Sequence, residues 1–271
     1  MKCCICGTVR NCGKYLEKVF SNIEKIGAIF DEYVIIVYYD VSNDNTLEFL
    51  KKYKEKNNKL IFYVNKDPLS KYRTHRIAKG RNKCLNMIRS SYKDYDFFIM
   101  MDFDDVCAKK LRLDVLKNKL LSNEWDALSF SNSLNGSLYY DIWALSIQPY
   151  LVSYRHFNHE KTDCVNKMHN YIVEKLKKMP KGQLLPCASA FCGFSIYKTA
   201  KFINCNYDGK LRIDLIPQKL IRNNILALNT PMCFTNYEGT IHEDCEHRSF
   251  HLEAIRKNNA RIRISPERLF Y

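Results

Sequence analysis

The sequence predicts an α/β fold in which a mixed, mainly parallel sheet is flanked by helices. Its first half alternates short apolar runs with segments whose apolar residues recur every three or four positions. The apolar runs have strand length and are rich in β-branched and aromatic residues. Because strands that alternate with helices form right-handed βαβ units, these strands are expected to lie parallel. Ligands of such sheets bind beyond the carboxyl ends of the strands, where two of the runs end in aspartate.

The predicted elements follow one another in order along the chain. In the first half they are strands over residues 2–8, 33–39, 60–64 and 96–101, and helices over residues 12–30, 47–54 and 77–90. In the second half, which is less regular, they are strands over residues 126–130 and 261–264, and helices over residues 156–179 and 247–258. The chain shows no internal repeat and no Gly/Ser-rich linker, so we expect a single domain over residues 1–271.

Composition and charge narrow the class of protein. With 46% hydrophobic residues, 18 Tyr and 15 Phe among 271 residues, the chain is not expected to be disordered. The formal charge of +14 predicts attraction to polyanions, whether nucleotide phosphates, nucleic acid or an anionic membrane surface. The N-terminus has no extended apolar region, and no apolar run is long enough to span a bilayer. We therefore expect a cytoplasmic protein in which the 12 cysteines stay reduced.

Three aspartates follow the apolar run of residues 97–101. The strand delivers Asp102, Asp104 and Asp105 to its exit without an intervening basic residue. Crowded carboxylates repel one another unless a cation holds them. Oxygen ligands suit Mg²⁺ or Mn²⁺, which can bridge the phosphates of a nucleotide. In the alternative interpretation, Asp104 or Asp105 only caps the segment that begins at Ala108.

Two further clusters predict contacts to an anionic ligand. The loop Asp40-Val-Ser-Asn-Asp-Asn-Thr46 places a carboxylate where it can accept hydrogen bonds from a base or ribose, and the helix that follows favours anions at its N-terminus. In residues 73–82, cations recur at spacings that put several on one helix face, where Arg binds a diphosphate bidentately. The alternatives are an ordinary capping loop and a solvated basic helix.

Together these clusters resemble glycosyltransferases of the GT-A type, over residues 1 to about 110. Asp40-x-Ser-x-Asp-x-Thr is similar to their nucleotide-binding loop, Arg76-Ile-Ala-Lys-Gly-Arg-Asn82 to their A-x-x-R-N helix, and Asp102-Phe-Asp104 to their DxD motif. The resemblance implies a GT-A fold, a UDP- or GDP-sugar donor, and Mn²⁺ or Mg²⁺ as cofactor. It also implies that residues 1–110 bind the nucleotide sugar and residues 111–271 the acceptor.

The same resemblance implies roles for individual residues. Asp40 would contact the nucleoside, and Arg81 would approach the diphosphate. Asp102 would bind the ribose or the metal, while Asp104 would bind the metal directly. The other residues predicted to bind the donor are Thr8, Arg10, Asp44 and Arg76.

Two later segments resemble, more weakly, fungal capsule mannosyltransferase-like enzymes. They are Tyr139-Tyr-Asp-Ile-Trp-Ala-Leu145 and Phe191-Cys-Gly-Phe-Ser-Ile-Tyr-Lys198. By this resemblance Gly193 lies in a glycine loop near the donor sugar, which is expected to be a hexose. Tyr140, Asp141 and Trp143 are predicted to bind the acceptor, a glycan or glycoprotein, because aromatic platforms stack on sugar rings. Core packing of these aromatic residues is the alternative.

Acidic and imidazole groups crowd ten positions near the C-terminus, namely His242, Glu243, Asp244, Glu246, His247 and His251. His247 and His251 are four apart, a helical spacing that can chelate a metal. The segment resembles the family's E-D helix, although His247 stands where an aspartate is usual. Glu246 or Asp244 is therefore the predicted base, and His247 is a third catalytic candidate. His247 or His251 would complete the metal shell of the DxD motif.

Two other functions fit parts of the sequence. A sugar nucleotidyltransferase shares the fold and the metal carboxylates and would release pyrophosphate, but its Gly-rich basic loop has only a thin counterpart in residues 7–13. A basic nucleic-acid-binding protein would lose affinity steeply with salt and would tolerate changes of Asp102 and Asp104. No recognised nucleic-acid-binding motif is present, so we expect no nucleic-acid partner. Peripheral contact of the basic surface with a membrane is compatible with the charge.

Overall fold

The computed structural model describes residues 1–67, 70–132, 138–157, 163–233 and 243–271, and in these residues one sheet dominates the fold. Its eight strands lie in the order β3-β2-β1-β4-β7-β5-β8-β6. The strands are β1 (Lys2–Val9), β2 (Glu32–Tyr39), β3 (Leu60–Val64), β4 (Phe97–Met101), β5 (Ala127–Phe130), β6 (Leu185–Cys187), β7 (Phe194–Lys198) and β8 (Ile262–Ser265). The pairs β1–β2, β1–β4, β2–β3 and β5–β8 are parallel, and the other three are antiparallel. The predicted mixed, mainly parallel α/β fold is therefore confirmed.

Helices connect the strands and cover the sheet. Those in the described residues are α1 (Gly13–Gly27), α2 (Thr46–Lys56), α3 (Arg73–Ser91), α4 (Leu113–Leu120), α5 (Cys164–Lys178), α6 (Thr199–Phe202), α7 (Gln218–Leu228) and α8 (Glu246–Asn258), with short 3₁₀ turns at Tyr154–His156 and Ile213–Leu215. In α1, Leu16, Val19 and Phe20 recur on one face and are buried in the core, as the periodicity predicts. In the part of the chain that the structure describes, no helix has both the length and the apolarity needed to cross a membrane.

The central strands β1, β2 and β4 are predominantly apolar after their first residues, because both faces of the sheet are covered. Side chains point alternately to the two faces of a strand. In β1, Cys3 and Ile5 belong to one hydrophobic cluster, while Cys4 and Cys6 belong to the cluster on the other face. All four of these side chains are fully buried, so the cysteines of this strand serve as core residues.

Several elements differ from their predicted form. Helix α3 begins at Arg73, four residues before the predicted start, because Glu243 accepts hydrogen bonds from the Thr74 N–H (3.1 Å) and hydroxyl (3.2 Å). Those bonds satisfy a donor of the first helical turn from a distant part of the chain. The helix predicted over residues 156–179 is confined to α5, and residues 158–162 lie outside the described residues. Strand β7 is not predicted at all, yet it lies between β4 and β5 and is antiparallel to both.

The carboxyl ends of β1 and β2 lie level at one edge of the sheet. Val9 pairs with Tyr39, and the Asp40 N–H donates to the Val9 carbonyl oxygen at 2.9 Å. Strand β4 runs parallel on the other side of β1 and ends at Met101. The loops after these three strands therefore bring Arg10, Asp40 and Asp102 to the same edge.

Candidate active site

A cavity of about 400 Å³ opens at the carboxyl edge of these strands. It unites loops that follow β1, β2 and β4 with the first turns of α3. Its polar and charged lining includes Thr8, Arg10, Asp40, Arg73, Arg76, Arg81, Asp102 and Asp104. The structure thus gathers most of the residues predicted for the donor and the metal around one space.

Arg81 connects this cavity to the C-terminal helix. Its guanidinium Nη2 donates to the Asp102 carboxylate at 3.0 Å, and Nη1 donates to the Glu246 carboxylate, 165 positions away. The Arg81 side chain is only 4% exposed, and Glu246 is 6% exposed. The guanidinium also lies over the Phe191 ring, 4.6 Å from its centroid. Arg81 lines the cavity, and two protein carboxylates already share its charge.

The two carboxylates of the DxD segment lie in a partly desolvated environment. Burial raises the pKa of Asp102, the charge of Asp104 raises it further, and Arg81 opposes both effects. Burial likewise raises the pKa of Asp104, although its carboxylate accepts a hydrogen bond from the Val106 N–H at 3.2 Å. Two carboxylates that destabilise each other's charged form are a suitable pair of oxygen ligands for a divalent cation.

Asp40 lies at the other end of the cavity, and its carboxylate is held in place by neighbours. Asn65 Nδ2 donates to Asp40 Oδ1 at 3.0 Å, and the Val41 N–H donates to the same oxygen at 3.1 Å. Arg76 Nε lies 3.8 Å from Asp40 Oδ2. Only about 7% of Asp40 is exposed. The carboxylate is therefore preorganised for a ligand, and Asn65, which the sequence did not single out, contributes to its orientation.

Asp44 lies outside the cavity lining. Its carboxylate accepts hydrogen bonds from the Gly13 N–H (2.9 Å), the Thr46 N–H (3.1 Å) and the Thr46 hydroxyl (2.6 Å). Burial alone would raise the pKa of Asp44, but these hydrogen bonds lower it overall. In this structure Asp44 ties the loop after β2 to the beginnings of α1 and α2, which agrees with the capping interpretation of the motif.

Asp244 is also outside the lining and is bound to another group. Arg248 Nε donates to its carboxylate at 3.0 Å, and both side chains are only 2% exposed. Burial would raise the pKa of Asp244, but the positive charge of Arg248 helps to lower it overall. Arg248 also donates to the carbonyl oxygens of Leu145 (2.7 Å) and Trp143 (2.5 Å), so the pair anchors the segment around these residues.

His247 and His251 lie side by side in the core behind the cavity. Arg81 Nη1 donates to His247 Nε2, while His247 Nδ1 lies 3.4 Å from the Tyr197 hydroxyl. His251 Nε2 lies 3.1 Å from the same hydroxyl, and His251 Nδ1 lies 3.0 Å from Ser189 Oγ. Protein groups thus surround both ring nitrogens of each histidine.

The structure does not bring these two histidines together with the DxD carboxylates as metal ligands. Burial lowers the pKa of His247 well below its ordinary value and that of His251 to about 3, so both rings are neutral. Within the described residues, no group of three or more His, Cys, Asp or Glu side chains is placed to hold a metal ion. His242, the other histidine of this cluster, lies outside the described residues.

Of the residues predicted for the sugar and the acceptor, Gly193 and Tyr140 lie near the end of β4. Gly193 has a φ of +82°, and its carbonyl oxygen accepts the Asp102 N–H at 2.9 Å. A Cβ at Gly193 would lie 2.9 Å from the Tyr140 hydroxyl, so glycine permits a close approach there. Burial, and to a lesser extent the charge of Glu246, raises the pKa of Asp141. Trp143 stacks against Arg155, whose guanidinium carbon lies 3.9 Å from the ring centroid.

Two cavity cations have no salt bridge within the described residues. They are Arg10, which follows β1, and Arg73, the first residue of α3. By contrast, Arg76 lies near Asp40, and Arg81 pairs with two carboxylates. Arg73 belongs to the basic segment that the sequence singled out, but the predicted helix started after it.

Comparison with known proteins identifies the class to which this fold and site belong. The chain belongs to glycosyl transferase family 2, because the model of that family matches residues 4–179, more than half of the chain. The resemblance to glycosyltransferases that the motifs predict is therefore confirmed at the level of the family. A comparison with curated proteins gave no match.

Solved structures show the same fold. The chain is similar to residues 1–349 of S. aureus TarS in complex with UDP-GlcNAc, with 15% identity and a TM-score of 0.52, covering 100% of this chain and 58% of that one. It is similar to a longer S. aureus TarS structure with 17% identity and a TM-score of 0.52, covering 100% of this chain and 36% of that one. This chain thus spans less than two thirds of either structure.

Proposed function

We propose that this glycosyltransferase moves a hexose-type sugar from a UDP- or GDP-sugar to a hydroxyl group of a glycan or glycoprotein, with Mn²⁺ or Mg²⁺ as cofactor. The observation that carries the proposal is the cavity in which Asp40, the arginines Arg10 and Arg73, and the Asp102–Asp104 carboxylates meet. The complex of TarS with UDP-GlcNAc, a nucleotide sugar, supports this choice of donor class.

The charges along the cavity match the parts of a nucleotide sugar. Asp40 is oriented by Asn65 and can accept hydrogen bonds from the nucleoside. Arg10 and Arg73, which have no salt bridge in the described residues, are the cations available to a diphosphate. Thr8 and Arg76 line the same space and would complete the donor site. Gly193, whose carbonyl oxygen accepts the Asp102 N–H, is proposed to lie near the donor sugar.

The side chains present fit a nucleotide-bound divalent cation better than a site made by protein alone. Asp102 and Asp104 offer carboxylate oxygens, and the described residues add no third protein ligand. Mg²⁺ is commonly held by one or two carboxylates, with substrate phosphates and water as its other ligands. When bound, the cation would offset the charge that develops on the departing nucleoside diphosphate.

Glu246 is the proposed base for a reaction that inverts the configuration of the sugar. Its carboxylate is tied to the cavity through Arg81, whereas Asp244 is held by Arg248. A carboxylate that stays ionised can take the proton of the acceptor hydroxyl. Arg81 donates to the Glu246 carboxylate and itself lines the cavity, so Glu246 lies directly behind the cavity lining. Tyr140, Asp141 and Trp143 are proposed to bind the acceptor beside it.

The proposal is tested by thermal unfolding with UDP, GDP and their sugars, each with and without Mn²⁺. One nucleotide should raise Tm only with the metal, since a ligand at 100 times its Kd stabilises the native state by about 2.7 kcal/mol. Asp104→Ala should abolish the shift. Asp114→Ala is the matched control, because the Asp114 carboxylate is outside the lining and pairs with Arg112, and it should keep the shift.

Two results would contradict the proposal. One is the absence of any nucleotide-dependent shift together with tight, salt-sensitive binding of RNA or DNA. The other is release of pyrophosphate, rather than nucleoside diphosphate, when the active donor is turned over.

A further inference from the structure

A chain of buried polar groups runs from Arg81 away from the cavity into the core. Arg81 contacts His247, His247 contacts Tyr197, and Tyr197 contacts His251. Ser189 Oγ ends the chain, 3.0 Å from His251 Nδ1. Each of the four groups beyond Arg81 is 0–1% exposed. Buried polar groups of this kind are costly unless each one is hydrogen-bonded, so packing alone does not account for them.

The chemistry of these groups fixes which atom donates and which accepts in each hydrogen bond from Arg81 to Ser189. An arginine has N–H donors and no acceptor, so His247 Nε2 must present its lone pair to Arg81. The proton of the neutral ring is then on Nδ1, which donates to the Tyr197 oxygen. The Tyr197 hydroxyl proton points to His251 Nε2. His251 therefore carries its own proton on Nδ1 and donates it to Ser189 Oγ.

We propose that His247 is a positioning residue for Arg81. Its neutral ring, oriented by the Tyr197 hydroxyl that His251 in turn contacts, presents Nε2 to Arg81 and fixes the guanidinium that Asp102 and Glu246 share. This role differs from the metal ligation and direct catalysis that the sequence suggested for His247. The inference rests on the proposed function, because the orientation of Arg81 matters for transfer only if the donor meets Asp102 in this cavity.

The local packing explains why the guanidinium needs a third contact. Arg81 Nε is buried and has no hydrogen-bond partner within the described residues, so the group is held by its two Nη atoms alone. One carboxylate lies at the end of β4 and the other on α8. The acceptor nitrogen of His247 stops the guanidinium from turning toward one carboxylate at the expense of the other. The His247 ring is itself stacked on Phe191, with 3.7 Å between the centroids.

The tautomers are measured by NMR of the histidine ring nitrogens in the ligand-free, ¹⁵N-labelled chain. His247→Gln and His251→Gln assign the two rings by loss of their signals. Both rings should show a protonated Nδ1 and an unprotonated Nε2. In Tyr197→Phe, which keeps the stacked ring but removes the hydroxyl, His247 should keep this tautomer because Arg81 still requires an acceptor, whereas His251 should lose its preference because its Nε2 no longer accepts from Tyr197. A His247 ring protonated on Nε2, or on both nitrogens, would overturn the proposal.

Steady-state kinetics then test whether the hydrogen bonds from Arg81 to Ser189 affect the rate of sugar transfer. Tyr197→Phe should lower kcat about threefold to tenfold, the range for loss of one hydrogen bond, with the donor KM within about twofold of wild type. Tyr95→Phe is the matched control: it removes another largely buried hydroxyl, bonded to Glu32 at the opposite end of β4, and should leave kcat unchanged. His247→Gln, which retains an acceptor for Arg81, should be more active than His247→Phe.

The two proposals fail in different ways. If Tyr197→Phe or His247→Phe turns over like wild type, or if only KM changes, His247 does not position the reacting groups. If the wild-type protein transfers no sugar but NMR shows the assigned histidine tautomers, the proposed function is wrong. The hydrogen-bond series from Arg81 to Ser189 is then still supported. Tyr197→Phe keeps the aromatic packing against Phe98, so loss of the fold is not expected to confuse the result.

Discussion

Replacing Arg81 by methionine should strongly destabilise the fold. Methionine has a similar length and preserves apolar packing but provides no charge. The change would leave the Glu246 carboxylate, only 6% exposed, without its cation, and would remove the partner of Asp102. Breaking a buried ion pair by removing one partner typically costs about 3–5 kcal/mol, because an uncompensated charge remains.

A double-mutant cycle with Glu246→Gln isolates the coupling between the two side chains. Glu246→Gln alone should cost about 1–3 kcal/mol, since Arg81 keeps Asp102 as a partner. In the double variant the buried carboxylate is gone, so the free energy of unfolding should fall by less than the sum of the single changes. For residues in contact, the difference is about 0.5–3 kcal/mol.

The free energies are measured by urea unfolding at about pH 7.5, monitored by circular dichroism. Arg89→Met is the matched control: Arg89 is on the same helix and donates to the carbonyl oxygens of Ile203 (2.6 Å) and Cys205 (2.5 Å), not to a carboxylate. It should cost less than Arg81→Met. A loss below about 1 kcal/mol for Arg81→Met, or additive effects with Glu246→Gln, would refute the argument.

Two further predictions concern the groups around this ion pair. Burial lowers the pKa of His251 to about 3, so as pH falls below the unfolded-state value of about 6.5 only the unfolded chain takes up the proton, and stability is lost. At about pH 5.5, protonation of His251 in the unfolded chain should lower the free energy of unfolding by about 1.4 kcal/mol relative to high pH. The free energy of unfolding of His251→Phe, measured in urea, should therefore depend less on pH than that of wild type. An unchanged pH dependence would contradict the low pKa of His251. Gly193→Ala should lower the free energy of unfolding by more than Gly182→Ala, because both glycines have positive φ but only at Gly193 would the new Cβ contact Tyr140. In both variants, alanine at positive φ should cost about 1–2 kcal/mol. Equal decreases in the free energy of unfolding would show that the contact with Tyr140 is unimportant.

Much of the first half was predictable because its signals are local. The apolar runs of β1, β2 and β4 are buried on both faces, and such strands are recognised from continuous hydrophobic sequence. Parallel strands end at one edge, so the sequence alone suffices to assign Asp40 and Asp102 to the same cavity. The motifs then pointed to the glycosyltransferases, and the family model confirmed that the chain belongs to glycosyl transferase family 2.

Contacts between distant segments could not be predicted in this way. Periodicity shows which face of an element is buried, but it does not show which segment covers that face. The antiparallel insertion of β7 and the pairing of Arg81 with Glu246 both depend on segments far apart in the chain. The same limit explains α3, whose first turn is completed by Glu243.

The sequence by itself determined the parallel part of the sheet formed by β1 to β4, the edge that holds the cavity and the family to which the chain belongs. Only the tertiary structure decided how individual polar residues are used. The pattern around Asp44 suits a ligand or a cap equally well, and the structure places it as a cap. The spacing of His247 and His251 suits a metal site, yet folding places Arg81 and Tyr197 against their nitrogens. The physical reason is that a side chain's partners depend on three-dimensional packing, whereas spacing along one helix specifies only a shared face.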